Sequence, residues 1–217
     1  HQFMQSLKHD FEINKGTVLL QNKAKKIDIK GGDIEIYVED SSNNINYILK
    51  TKLVINCAGL NAVEINNSIS EKKNSLSQRY VKGDYYSYSG TEKINHLIYP
   101  IPTKDSLGIH VTMDLGGGIK FGPSAYDVDT IDYSIKESTK LDFLSSIQKY
   151  WPMIKADQIQ PTYSGIRPKL NESNDFNINQ EEFDDNLFFS ILGYESPGLT
   201  SSLALGEYVS NKILRNI

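Results

Sequence analysis

The chain has 217 residues, of which 39% are hydrophobic and 10% aromatic, which is enough to bury a core in one domain or two small ones. The formal net charge of −4 predicts no nucleic-acid partner. Cys57 is the one cysteine, which excludes an internal disulfide and favours a reducing, cytoplasmic location. No apolar run approaches the roughly 20 residues of a membrane-spanning helix, although peripheral attachment to a membrane stays open.

The first part of the chain predicts a helix followed by short strands. Apolar residues recur at helical spacing over residues 1–14. Strand-like runs follow at residues 17–21, 25–29, 33–39 and 46–49, and the last three predict a small antiparallel meander.

A second strand signal precedes a turn of small residues. Residues 52–56 (KLVIN) predict a buried strand and residues 57–61 a tight turn, where Ala58 and Gly59 allow the backbone to approach a ligand. The alternative is that these small residues only pack a strand against a helix. We interpret Cys57 as a buried packing residue, because no histidine is near it in sequence. A polar, partly helical connector is expected at residues 62–75.

The middle of the chain predicts an antiparallel sheet. Short runs at residues 96–102, 108–114 and 118–123 are interrupted by glycine and proline, and residues 79–88 hold four tyrosines. A helix is predicted over residues 134–150, with Leu141, Leu144, Ile147 and Trp151 on one stripe, and a strand over residues 159–166. His110 alternates with apolar neighbours, so a satisfied histidine on a half-buried strand is the alternative to a catalytic role.

The last part of the chain combines a strand, a glycine loop and a helix. Residues 187–192 (LFFSIL) predict the strand, and residues 201–213 predict the helix, with Thr200 or Ser201 as its N-cap. This order of elements can place unpaired backbone N–H groups and a positive dipole end beside a ligand. An ordinary turn inside an α/β core has the same pattern. Residues 176–178 and an acidic turn at residues 181–186 precede this segment.

Six segments together resemble the L-2-hydroxyglutarate oxidase and dehydrogenase family, within the FAD-dependent superfamily that includes D-amino-acid oxidase and glycine oxidase. The segments are NCAGLNA (56–62), KGDYYSYSG (82–90), LIYPIP (97–102), GIHVTMDLGG (108–117), GIRPKL (165–170) and GYESPGLTSSLA (193–204). The resemblance implies an α/β (α+β) fold. A Rossmann-like FAD-binding domain would comprise residues 1–75 and 166–217, and a mostly antiparallel substrate domain, residues 76–165, would be inserted into it.

The resemblance also implies a set of site residues. Arg167 would bind the substrate carboxylate through two parallel hydrogen bonds, and His110 would act as base or hydrogen-bond partner of the substrate hydroxyl. Tyr86 and Tyr88 would line the substrate cavity, and Lys169 would contact the distal carboxylate of a dicarboxylic substrate. The implied FAD contacts are Ala58, Gly59, Ser196, Pro197, Gly198, Leu199 and Thr200. No metal site is predicted.

The implied reaction is oxidation of L-2-hydroxyglutarate to 2-oxoglutarate, with hydride transfer to the flavin. The alternatives are a flavin amino-acid oxidase, a non-catalytic subunit or remnant, and a carboxylate-binding module without a redox role. The G-x-G-x-x-G motif and the acidic ribose ligand of such domains are missing from the sequence. We therefore expect them upstream of His1 or on a separate N-terminal chain, and weak FAD binding by this chain alone.

Overall fold

A computed structural model describes residues 1–69, 75–101 and 108–215, and its elements form a mixed α/β fold. The helices and strands of these residues, in chain order, are α1 (Gln2–Ile13), β1 (Asn22–Lys30), β2 (Asp33–Asp40), β3 (Ile45–Thr51), β4 (Leu53–Asn56), α2 (Ala62–Asn67), β5 (Gln78–Tyr88), β6 (His110–Met113), β7 (Ile119–Gly122), β8 (Tyr126–Val128), α3 (Thr139–Gln148), β9 (Ile159–Leu170), β10 (Asn177–Phe183), β11 (Asn186–Leu192) and α4 (Gly198–Leu214). Short 3-10 helices lie at Gly59–Asn61 and Ala156–Gln158.

The chain folds into two compact units, each made of two segments. Unit 1 comprises His1–Ser75 and Ile178–Ser190, and unit 2 comprises Leu76–Asn177 and Ile191–Ile217. The predicted boundary at residue 166 falls inside β9. The assignment of an FAD-binding and a substrate-binding domain stays a prediction.

Unit 1 contains the predicted antiparallel meander, β1–β2–β3, and a sheet in the order β10–β11–β4. The meander prediction is confirmed, with strands longer than expected. Strand β4 pairs in parallel with β11, so the predicted strands at residues 52–56 and 187–192 are neighbours. Strand β11 is buried along most of its length, as expected for a parallel strand with both faces covered, whereas Ile55 of β4 is 43% exposed. The buried core of unit 1 consists of Ile27, Ile34, Val54, Ile65, Ile69 and Phe188.

Helix α1 confirms the predicted first helix, but it buries none of its residues. Met4 and Leu7 are 60% and 39% exposed. The strand predicted at residues 17–21 is wrong, since this segment has no strand conformation. Its end at Gln21 has a positive φ of 60°, and a left-handed residue interrupts an extended chain.

Unit 2 is built on a five-stranded sheet in the order β6–β7–β5–β8, with β9 also paired to β5. Helix α3 contributes Phe143 and Ile147 to the core on one side of this sheet. The buried residues of this core are Tyr86, Val111, Ile119, Phe121, Phe143, Ile147, Ile154 and Ile159. We call this side the α3 face, and the opposite side, from which Arg167 projects, the Arg167 face.

Several boundaries in unit 2 differ from the prediction. Residues 96–101 form one isolated bridge, between Ile98 and Val111, instead of a strand, since proline at position 100 cannot donate to a ladder; residue 102 lies outside the described part. The helix at residues 134–150 is shorter, and Leu141 of the predicted stripe is 69% exposed. Trp151 packs against the core as predicted.

Strand β9 is longer than predicted and continues through the GIRPKL segment to Leu170. The expected acidic turn at residues 181–186 is shorter, because β10 extends to Phe183. The described helices include none that is both long and apolar enough to cross a membrane.

Candidate functional site

Arg167 lies on β9 among residues that share one face of the sheet. Tyr163, Gly165 and Arg167 alternate along the strand, so they project to the same side. Tyr163 is the register partner of Tyr85 on β5, and their rings stack with centroids 4.5 Å apart and planes at 17°. The Arg167 face therefore carries a stacked tyrosine pair, and Tyr163 of this pair is four residues from Arg167 along β9.

Gly165 leaves a gap between this tyrosine pair and Arg167. A Cβ placed on Gly165 would meet no heavy atom within 4 Å. Burial raises the pKa of the Tyr85 hydroxyl, and the nearby positive charge of Arg167 opposes that rise. Arg167 and Tyr85 therefore interact electrostatically on this face.

His110 lies on the same face, on β6. Its neighbour Val111 pairs with Phe121 and points into the core, so His110 projects to the opposite side. The His110 residue is 8% exposed, and the ring of Tyr99 covers it with centroids 4.0 Å apart. The structure thus brings the two predicted catalytic residues, His110 and Arg167, to one face.

Lys120 adds a second cation to the Arg167 face. It is opposite Thr112 in the β6–β7 ladder, and its Nζ lies 5.5 Å from the ring centroid of Tyr163. Its carboxylate partner is Asp114, at 3.6 Å. The backbone N–H of Gly118 donates to Asp114 and is the main reason that the pKa of this carboxyl is lowered.

Tyr86 and Tyr88, the predicted substrate-lining residues, point to the α3 face. The Tyr86 residue is 1% exposed, its ring packs against Phe143, and its hydroxyl is 2.9 Å from Thr139 Oγ1. The ring of Tyr88 packs against Trp151. The structure therefore does not bring these two tyrosines together with Arg167.

Sequence reasoning missed Tyr85 and Tyr163, which lie on the Arg167 face instead. The signal that could have found Tyr163 is its spacing, four residues before Arg167 on one predicted strand, because even spacing keeps side chains on one side.

Lys169 connects β9 to the loop before α4. Its Nζ lies 2.7 Å from Glu195 Oε1, and the Glu195 side chain is 14% exposed. Lys169, the residue predicted to bind a distal carboxylate, is therefore already paired with Glu195. A cavity of about 290 Å³ adjoins the pair, lined by Lys169, Leu170, Ser173, Asn174, Asp175, Phe176, Gly193, Glu195, Ser196 and Pro197.

The loop at residues 193–197 is held by Tyr194. The Tyr194 hydroxyl donates to the carbonyl oxygen of Gly198 and is 2.7 Å from Ser201 Oγ. Helix α4 begins at Gly198 and has Pro197 as its N-cap, without a side-chain cap. The predicted N-cap, Thr200 or Ser201, is therefore wrong. Ser201 lies inside the first turn, where its Oγ donates to backbone carbonyl oxygens.

The predicted flavin contacts of this loop differ in exposure. Gly198 is buried under the Tyr194 ring, which lies 3.1 Å from the position of an added Cβ. The exposed residues are Ser196, Pro197, Leu199 and Thr200. Because no side chain caps α4, its first-turn N–H groups suit an electron-rich ligand edge.

Ala58 and Gly59 lie in unit 1, in the turn after β4. Asn56 shapes this turn, because its Oδ1 accepts from the Ala58 N–H and its Nδ2 donates to the Ala62 carbonyl oxygen. Gly59 has a φ of +57° and open space where a Cβ would be. Cys57 is exposed, so its prediction as a buried packing residue is wrong, because the strand ends at Asn56. Partial desolvation raises the pKa of its thiol, which disfavours a thiolate nucleophile.

Each of these two segments, taken by itself, has local geometry that allows close approach of a planar ring. In the turn after β4 the small residues leave space, and at the start of α4 no side-chain cap covers the backbone. Within the described ranges, no group of three His, Cys, Asp or Glu side chains could hold a metal ion.

Comparison with known proteins identifies the class. The family model for FAD dependent oxidoreductases (DAO) matches residues 1–212, and the chain belongs to this family. Its cofactor is accordingly FAD. The fold of the chain resembles that of an FAD-bound L-alpha-glycerophosphate oxidase of Mycoplasma pneumoniae, with a TM-score of 0.75 and 22% identity, covering 89% of this chain and 50% of that one. A glycine oxidase of Bacillus cereus has a TM-score of 0.71 at 15% identity, over 96% of this chain and 54% of that one.

Two of the similar sequences are dehydrogenases that act on different substrates. The chain is 38% identical to the mitochondrial L-2-hydroxyglutarate dehydrogenase of Arabidopsis thaliana, over 75% of this chain and 38% of the relative. It is 34% identical to a glycerol 3-phosphate dehydrogenase of Caloramator mitchellensis, over 77% of this chain and 34% of the relative. The chain thus matches little more than a third of the length of these two relatives.

Proposed function

We propose that the chain is part of an FAD-dependent oxidoreductase that oxidises a small 2-hydroxy acid, with L-2-hydroxyglutarate as the substrate. The observation that carries this proposal is the Arg167 face, which holds a guanidinium, a histidine and a stacked tyrosine pair. The relative from Arabidopsis thaliana supports the choice of substrate.

Arg167 would orient the substrate. Its planar guanidinium forms two parallel bonds to a carboxylate, which fixes both the position and the rotation of a 2-hydroxy acid. The gap at Gly165 would admit the acid, and the rings of Tyr85 and Tyr163 would exclude water from one side of it.

His110 would take up the hydroxyl proton as the substrate is oxidised. Its position under the ring of Tyr99 limits contact with bulk water, which favours a directed proton transfer. Bound FAD would supply the hydride acceptor. The N–H groups at the start of α4 would hydrogen-bond to its ring system and stabilise negative charge there.

Glycerol 3-phosphate is the second candidate substrate. The Caloramator dehydrogenase, 34% identical to this chain, supports it, whereas the glycerophosphate oxidase of known structure contributes only a shared fold. A guanidinium binds phosphate as readily as carboxylate, so Arg167 is compatible with either substrate. An amino-acid substrate is a third candidate, to which the glycine oxidase contributes only a shared fold.

We also propose that residues 1–75 and 166–217 serve FAD and residues 76–165 serve the substrate. In this proposal, unit 1 binds a further segment that carries the glycine-rich phosphate motif, either upstream on the same chain or on a separate one. Two surfaces support this, namely the apolar side of α1, which buries no residue, and strand β4, whose outer edge has no partner among the described strands.

Substitution of Arg167 tests the proposed function. In the FAD-loaded full-length protein, Arg167→Lys should lower kcat/KM for L-2-hydroxyglutarate about tenfold, because Lys keeps the charge but loses one of two bonds. Arg167→Ala should lower it by about a hundredfold or more. The exposed arginine Arg79, which pairs with Asp127, gives the control Arg79→Ala, with unchanged kinetics expected. A preference for glycerol 3-phosphate or an amino acid over L-2-hydroxyglutarate would overturn the proposed substrate.

A further inference from the structure

Lys120 is a cation on the Arg167 face that the proposed mechanism does not use. We propose that Lys120 binds the distal anionic group of the substrate and so selects dicarboxylic 2-hydroxy acids over monocarboxylic ones. This inference rests on the proposed function and deepens it, because it assigns the specificity of the same site to one residue.

The position of Lys120 supports this role. Its Nζ lies over the Tyr163 ring, and Tyr163 stacks on Tyr85. Arg167 is four residues beyond Tyr163 on the same strand, a distance of about 13 Å between Cα atoms. Lys120 is opposite Ser87 on β5, and Arg167 is opposite Val81, so about 20 Å separates their backbones along the strands. The tyrosine pair and the gap at Gly165 lie between the two cations, whose long side chains can reach inward. A dicarboxylate placed along the tyrosine rings would have one anionic group near each cation.

The ion pair between Lys120 and Asp114 is weak, which favours release of Lys120 from Asp114 when a ligand binds. Its pair with Asp114 is long, at 3.6 Å, and the two side chains are 29% and 41% exposed. Asp114 also accepts from the backbone N–H groups of Gly116 and Gly118, at 3.0 and 2.8 Å. When Lys120 turns toward a substrate, Asp114 therefore keeps two hydrogen-bond donors, and the loss of a partly exposed ion pair costs little.

The neighbouring lysines are less suited to this role. Lys169 is on the same face, but its 2.7 Å pair with Glu195 involves a carboxylate that is 14% exposed, and removing a partner from such a carboxylate is costly. Lys82 is 3% exposed and its Nζ donates to the carbonyl oxygen of Ser134. It projects to the α3 face, since its neighbours Val81 and Gly83 share a face with Arg167 and Gly165.

Paired ligands and paired variants test the inference. The ligands are L-2-hydroxyglutarate and L-2-hydroxyvalerate, which has the same number of carbons but no distal carboxylate. The variants are Lys120→Met, which keeps an unbranched apolar side chain without the charge, and the control Lys212→Met. Lys212 also lies over a tyrosine ring, that of Tyr208, at 5.7 Å. Dissociation constants are measured by calorimetry on the FAD-loaded full-length protein, after circular dichroism has verified folding of each variant.

The expected result is a preference of the wild-type chain for L-2-hydroxyglutarate that Lys120→Met reduces about tenfold, the effect of losing one charged hydrogen bond. Binding of L-2-hydroxyvalerate should be unchanged in both variants, and Lys212→Met should behave as wild type. An intact preference in Lys120→Met, or an equal loss for both ligands, would overturn the role of Lys120 and leave the proposed function standing. Failure of the wild-type chain to bind either acid would contradict the proposed function, and this inference with it.

Discussion

At the scale of single residues, the absence of a side chain at Gly165 shapes the candidate site. The residue lies between Tyr163 and Arg167 on one face of β9, and a Cβ there meets no atom. Gly122 differs, since its φ is +137° and an added Cβ would lie 2.7 Å from the Tyr85 ring and 2.8 Å from the Asp84 carbonyl oxygen. Gly165 leaves room for a ligand, whereas position 122 requires glycine because other residues rarely adopt its backbone conformation.

Valine at position 165 should separate ligand binding from stability. Gly165→Val should leave the free energy of unfolding unchanged or raise it by up to about 1 kcal/mol, because valine suits a strand and restricts the unfolded chain. The same change should weaken binding of L-2-hydroxyglutarate at least tenfold, by filling the gap. Denaturant unfolding and calorimetric titration measure the two effects.

Gly122→Ala is the comparison, and it should destabilise the chain by about 1–3 kcal/mol through backbone strain and the clash with Tyr85. If Gly165→Val bound the acid as tightly as wild type, the gap would not be the substrate site.

The candidate arginine and histidine of the sequence both lie on the Arg167 face, whereas its two candidate tyrosines, Tyr86 and Tyr88, point to the α3 face. Alternation along a strand requires that Tyr85 and Tyr86 point to opposite sides. Which of them shares a face with Arg167 depends on the pairing of β5 with β9, about 80 residues later in the chain, and on a register shift between Tyr85 and Tyr86. The sequence pattern of β5 alone does not show which strand it pairs with, or in which register.

At the scale of elements, the turn between β2 and β3 is organised by one carboxylate. Asp40 accepts hydrogen bonds from the hydroxyl of Ser42, the amide side chain of Asn43 and the backbone N–H groups of both. The bond from the Ser42 hydroxyl is the largest cause that lowers the pKa of Asp40 from 3.8 to about 2. The charged form of Asp40 therefore stabilises the folded hairpin.

This shift predicts a pH dependence of stability. Since the folded pKa lies below the unfolded value, the contribution of Asp40 is complete above about pH 4 and is lost as the pH falls toward about 2. Asp40→Asn should lower the melting temperature at pH 7, and the difference from wild type should shrink between pH 4 and pH 2. Thermal unfolding followed by circular dichroism measures this difference in melting temperature. The control variant is Asp175→Asn, in unit 2. A difference that stayed constant over this range would contradict the assignment.

Element identity was more predictable than element boundaries. The meander, the strand at residues 187–192 and both terminal helices were evident from periodicity. The start of α4 was not, because Gly198 begins the helix through contacts of the Tyr194 ring and hydroxyl, and not through a local capping residue. The strand predicted at residues 17–21 failed because apolar composition alone does not supply a pairing partner.

At the scale of the whole molecule, unit 1 exposes apolar surface that the proposed further segment would cover. Leu7 is one of the exposed apolar residues of α1, together with Phe3, Met4 and Phe11. A separately produced segment that carries the glycine-rich phosphate motif, taken from a flavoprotein of this family, should form a complex with the chain. Light scattering measures the mass of the complex, and a visible spectrum after desalting measures retained FAD.

Leu7→Lys should weaken this association about tenfold or more, because a charge would have to be buried against an apolar surface. Leu141→Lys changes an equally apolar, exposed leucine in unit 2 and should have no effect. Retention of FAD by the chain alone would contradict the need for a further segment.

The division of both units into two chain segments has a consequence for biosynthesis. A ribosome that has produced Val54 and Ile65 has made only part of the unit 1 core, because the strand that bears Phe188 is translated more than a hundred residues later. The nascent unit 1 must therefore remain incomplete while most of unit 2 emerges. During that interval its apolar surface is open to aggregation, so yield in a cell should respond to chaperone supply and to translation speed.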